Sequence, residues 1–135
     1  MSRLRRGVAG GLVAAVVSGL PSTVHTLLRG GDLTESTRAA GTLIVTDDAP
    51  PVLQLGAGAA AHVVISVGWG AILGVVLPER RAVAWGAAAG LGIAALDLAG
   101  VGRRFRAVDA LPTAPQVADH VAFGATVGWW LARGR

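Results

Sequence analysis

Residues 53–77 read LQLGAGAAAHVVISVGWGAILGVVL, with no acid, no base and no proline, and with His62 as their one histidine. At a rise of ~1.5 Å per residue this run crosses a hydrocarbon core of about 30 Å. A helix apolar on every side belongs inside a large core or in lipid. In a soluble protein of 135 residues it is rare. The run therefore predicts a transmembrane helix, and the rest of the chain is read around it.

Composition supports the same solvent. Charged residues make up 15% of the chain and mean hydropathy is +0.59, where a soluble domain carries about 25% charged residues. Twenty glycines would weaken soluble helices, but in lipid glycine lets helix backbones approach closely. There is no Gly-X-Y period, which excludes collagen, and the apolar content is too high for disorder. No cysteine is present, so disulfides and thiolate chemistry are excluded. The formal charge of +4 comes from arginines at the ends of apolar runs. That placement fits membrane topology, and no basic face of the kind that binds nucleic acid is visible.

Taken in order, the chain predicts four spans, at about 8–28, 53–77, 82–102 and 112–132. The fold class is all-α, a polytopic membrane protein with its spans in a compact bundle. Met1 to Arg6 is a basic start. It precedes a first helix that is expected to be retained, because VSGLPST matches a signal-peptidase site poorly and further spans follow. Pro21 should kink this helix, with Ser22 and Thr23 satisfying the freed carbonyls.

Residues 29–52 form the longest polar stretch. Asp32 and Glu35 resemble an N-cap pair, and Thr34 to Leu43 is expected to form a short helix on the membrane surface. Thr46 to Pro51 reads as the turn that ends it. Pro78-Glu79-Arg80-Arg81 is short enough to join only antiparallel neighbours, so spans two and three should form a hairpin. Arg103 to Asp109 is a polar connector.

Both termini then share a side with Arg3, Arg5, Arg6, Arg80, Arg81, Arg133 and Arg135, and with Glu79 as its one acid. The positive-inside rule places that side in the cytoplasm, against the pull of Arg103, Arg104 and Arg106. Trp69, Trp85, Trp129 and Trp130 lie toward the same side and suit an interfacial belt. Glycines recur four apart at Gly7 and Gly11, Gly70 and Gly74, Gly86 and Gly90, and Gly124 and Gly128. This spacing predicts close helix packing within the bundle or, alternatively, a face for a second copy or another membrane protein. An echo of His62 with Trp69 in His120 with Trp129 hints at two related helix pairs.

Each predicted span carries one ionisable candidate: His25, His62, Asp97 and His120. Helical rise places His62 about 14 Å and His120 about 12 Å below the outer ends of their helices, and Asp97 about 22 Å along its own. Such groups face a bundle interior or water and mark functional sites in membrane proteins. They admit a proton relay, a site for a small polar ligand, or a structural ion pair. A bis-histidine metal or haem site between His62 and His120 is the weakest reading, because cysteine and H-x-x-x-H are absent and Asp119 and His120 diverge on a helix. No metal and no cofactor is expected. Gly90 to Ala95 fits G-x-G-x-x-A, but it lies inside an apolar helix without the strand and distant acid that a dinucleotide site needs. No nucleophile elbow, P-loop or zincin motif is present, so the chain is not expected to be an enzyme, and Ser18, Ser22 and Ser66 read as helix-packing hydroxyls.

The run Ser18 to Thr23, His25, the stretch Ala39 to Leu43, Trp69, and Leu77-Pro78 followed by Arg80 and Arg81 resemble a group of small integral membrane proteins from actinobacteria. Twelve arginines without a lysine suit a high-GC genome. The resemblance implies a four-helix membrane protein and carries no established activity. From the residues themselves, the chain is expected in the plasma membrane, and its leading functional expectation is binding or translocation of a small solute or proton through the His/Asp cluster. The alternative is a non-catalytic partner subunit that packs through its glycine faces.

Overall fold

The computed structural model describes residues 2–133, and within them every regular element is helical. In chain order these are α1 (Arg3–Val17), α2 (Leu20–Arg29), α3 (Glu35–Gly41), α4 (Pro51–Val76), α5 (Ala82–Ala94), α6 (Arg106–Asp109) and α7 (Thr113–Arg133). Helix α5 continues without a break through a π-helical segment, Ala95–Val101, and a 3₁₀ turn, Gly102–Arg104. Three stretches are long and apolar enough to cross a membrane: Arg3–Arg29, Pro51–Val76 and Ala82–Arg104. Arg135, expected on the terminus side, lies outside the described residues.

Two glycine seams hold the bundle together. Gly7 and Gly11 of α1 lie against Ser66, Gly70 and Gly74 of α4, and Gly86 and Gly90 of α5 lie against His120, Gly124 and Gly128 of α7. A Cβ added to Gly7 would approach the Gly74 Cα to 2.7 Å, and one on Gly124 would approach the Gly90 nitrogen to 2.9 Å. No side chain fits at that separation, so all four GxxxG pairs are used inside the chain. Both seams are antiparallel, and α1 and α7 join them by packing on each other. The order across the bundle is therefore α4, α1, α7, α5.

The four-residue connection does join antiparallel helices, but α4 and α5 are not packing partners as the hairpin expectation had them. Bulky side chains hold them apart. Leu73, Ile93, Phe123, Val127 and Leu131 form one core cluster, with Trp69 packed against it. Trp130 packs over Gly10. Of the four tryptophans, then, Trp69 and Trp130 are packing residues, and Trp85 and Trp129 are the exposed ones. The large aliphatic side chains mostly face out, Val16, Leu28 and Val64 being 82%, 83% and 70% exposed. The interior between helices is mainly Gly, Ala and Ser. Apart from the one core cluster, large apolar side chains lie mostly on the outside, a distribution compatible with a lipid surround.

Arg3 and Arg6 belong to α1, which begins five residues earlier than the predicted span. The Arg3 side chain donates to the carbonyls of Gly74 (3.0 Å) and Leu77 at the end of α4, and Arg6 donates to Leu131 near the end of α7. Helix C-termini leave carbonyls unpaired and carry partial negative charge, so these two arginines cap neighbouring helices. Arg133 lies 4.1 Å from the centre of the Trp129 ring.

In the long loop, Asp32 Oδ1 accepts from the Thr34 amide (2.8 Å) and hydroxyl (2.7 Å), and Oδ2 pairs with Arg38 at 2.6 Å. Those bonds, the Thr34 hydroxyl first, hold the Asp32 carboxyl below its ordinary range. The cap differs from the expected one: Thr34 is the N-cap residue and Glu35 opens the helix. Nor does α3 simply rest on a surface. Gly41 meets the Gln54 backbone and Gly58 meets Thr37, so α3 packs along the start of α4.

Candidate functional site

The first span breaks where its sequence loses helix-forming capacity. Pro21 has no amide hydrogen, and its ring obstructs the preceding turn. The chain leaves the helix at Ser18 and Gly19 and re-enters at Leu20, with proline in the first turn of α2. The break creates two helix ends inside the bundle, one presenting carbonyls and one presenting amides.

Two other helices supply the partners. Asp119 of α7 accepts from the Ser22 amide (2.9 Å, Oδ1) and from the Ser22 hydroxyl (Oδ2). It caps the amide end of α2 from outside that helix, with the charge sign that a helix N-terminus favours. His62 Nε2 of α4 donates to the Ala15 carbonyl at 2.8 Å. Thr23 Oγ1 donates to Gly19 O at 2.7 Å. The Gly19 carbonyl already accepts the Thr23 amide at 3.0 Å, so neither hydroxyl does what was expected: Thr23 adds a second bond to a carbonyl that is not freed, and the Ser22 hydroxyl goes to a carboxylate on another helix.

A second polar pair lies between α7 and the π-helical continuation of α5. His120 Nε2 and Asp97 Oδ2 are 3.3 Å apart, and His120 Nδ1 is 2.7 Å from the Gln116 carbonyl. A carbonyl only accepts, so Nδ1 must carry a hydrogen. The contact between Nε2 and Asp97 then needs one further proton, held either as imidazolium with carboxylate or as imidazole with carboxylic acid. The pair is built to hold one exchangeable proton. Asp97 lies in the first turn of the π-helical stretch, where the Gly102 amide reaches back five residues to the Asp97 carbonyl. Such wide turns recur at functional positions.

His62, Asp97, Asp119 and His120 line one part-open cavity of about 250 Å³, with Ser18, Ser22, Ser66, Gln116, Trp69 and Phe123. It occupies the gap between α4 and α5, is backed by α7, and is flanked by Ser36, Ala40 and Leu43 from the 35–43 region. Three of the four expected residues therefore converge. His25 does not. It lines a neighbouring cavity with Arg29, Glu35 and Pro112. Asp119 is the residue the sequence reading passed over. Its signal was available: an acid in an apolar helix, beside a histidine. Among the described residues, no group of three or more His, Cys, Asp or Glu side chains could hold a metal ion.

Comparison with protein families, with curated proteins and with solved structures finds no match to this chain.

Proposed function

We propose that this chain is a four-span integral protein of the plasma membrane, with cytoplasmic termini, that binds or translocates a small solute or proton through the cavity lined by His62, Asp97, Asp119 and His120. It is read as non-enzymatic, in keeping with its resemblance to small actinobacterial membrane proteins. The observation that carries the proposal is the Asp97–His120 pair. His120 Nδ1 lies 2.7 Å from the Gln116 carbonyl and its Nε2 lies 3.3 Å from Asp97 Oδ2, at the wall of a cavity.

Helix α7 is counted as the fourth span because 21 residues reach about 31 Å at helical rise. Its polar residues Gln116, Asp119 and His120 line the cavity, so they need not meet lipid. The partner-subunit alternative loses its main support, since the glycines it relies on lie in seams within the chain.

Purified protein in liposomes under a pH gradient tests the reading. Asp97→Asn should abolish a proton flux that the parent chain carries. A parent flux equal to that of empty liposomes would remove the translocation reading.

A further inference from the structure

We propose that the cavity binds a small organic cation with an apolar body, in exchange for the proton of the Asp97–His120 pair; the inference rests on the reading of this cavity as the functional site. Charge is the first argument. The lining holds two carboxylates and two imidazoles but no Arg, and the chain has no Lys. Arg29 lines the neighbouring cavity instead. An anion would meet two carboxylates and no permanent cation here, whereas a cation meets carboxylates in a low-dielectric wall.

The two carboxylates are not equivalent. Asp119 has both oxygens engaged by Ser22, at the amide end of α2, so its charge is already answered. The hydrogen bonds place only His120 against Asp97. With its shared proton, that pair has zero net charge. Without the proton, the pair carries one negative charge in a mostly apolar lining, and a bound cation restores neutrality. The balance is one cation in and one proton out to water, with no bond made or broken in the ligand. The other titratable groups facing this space are Asp119 from α7 and His62 from α4. The α2 and α3 walls contribute only Ser22, Ser36 and Ala40.

Size and surface set the rest of the ligand. A cavity of about 250 Å³ lies just below the usual range for small-molecule sites of roughly 300–1,000 Å³, so the ligand has about one ring. Trp69 and Phe123 offer aromatic surface, which attracts cations and packs against hydrocarbon.

The test uses the full chain in lipid nanodiscs with benzyltrimethylammonium, against its neutral carbon isostere neopentylbenzene and the anion benzenesulfonate. The cation should bind saturably, tighten as pH rises, and release one proton per molecule bound. Asp97→Asn should weaken it at least tenfold. Ala40→Leu, which fills the cavity without touching a charge, should do the same while the protein stays monodisperse. Equal competition by the neutral isostere, binding of the sulfonate in place of the cation, or undiminished binding by Asp97→Asn would each overturn the inference. Cation binding without proton flux in liposomes would uphold it and remove only translocation. Proton flux without cation binding would do the opposite.

Discussion

Ser22 follows Pro21, and its amide is left over where the first span breaks. Asp119 takes it, 97 positions away in sequence. Removing a helix N-cap typically costs ~1 kcal/mol, and leaving a buried donor unpaired adds a similar amount. Asp119→Ala is therefore expected to destabilise the protein by about 1–3 kcal/mol and to speed hydrogen exchange at the Ser22 amide selectively; unchanged exchange there would remove the cap. Asp32 offers a test outside the bundle. Its carboxyl is held low chiefly by the Thr34 hydroxyl. Because the folded-state value is depressed, its contribution to loop order is present above the unfolded-state value and is lost as pH falls through the folded one. In a carboxyl NMR titration, Thr34→Val should raise the Asp32 midpoint toward the ordinary range, and a fixed midpoint would refute the assignment. The sequence marked Pro21 as a disruption and, although the N-cap residue is Thr34, the region of Asp32 as the start of a short helix, because both effects are local. It gave no way to see that Ser22 would turn to Asp119, because that bond depends on how two distant helices pack.

At the scale of elements, the glycine spacing was legible and its partners were not. A small residue every fourth position leaves a flat strip on any helix, whatever faces it. Which strips meet was decided by fit, α1 with α4 and α5 with α7. The prediction is a contrast between faces. Gly124→Leu would drive a side chain into the Gly86 and Gly90 backbone and should cost well over the ~1–3 kcal/mol of ordinary overpacking, seen as loss of the folded form in detergent melts. Gly92→Leu, on the same seam's outer side with nothing within 4 Å, should be near neutral. Equal effects of the two would sink the seam. The later helix of each seam carries the histidine, His62 or His120, in line with the sequence echo between those helices. The hairpin expectation failed at this scale because a short turn fixes only where two helices begin, while Trp69, Leu73 and Ile93 keep their axes apart.

For the whole molecule, Arg3, Arg6 and the ends of α4 and α7 gather at one end of the bundle. The asymmetry of arginines between the two ends sets the proposed orientation. The chain lacks cysteine, so single cysteines can report it. Cysteines replacing Ser2 and Arg80 should be labelled from one side of sealed vesicles, and those replacing Asp32 and Asp109 from the other. Labelling of the first two from opposite sides would refute the topology.

The suitability of three helices for lipid was written in the sequence. Long uncharged runs have a transfer free energy that adds along the chain, so no tertiary detail is needed to read helices suited to lipid, their rough limits, or the cost of placing His62, Asp97 and His120 within them. The site itself was a product of packing. Only the fold could exclude His25, recruit Asp119 and open a cavity between α4 and α5, because each depends on directions around helix axes and on a break whose two ends had to find partners elsewhere in the bundle.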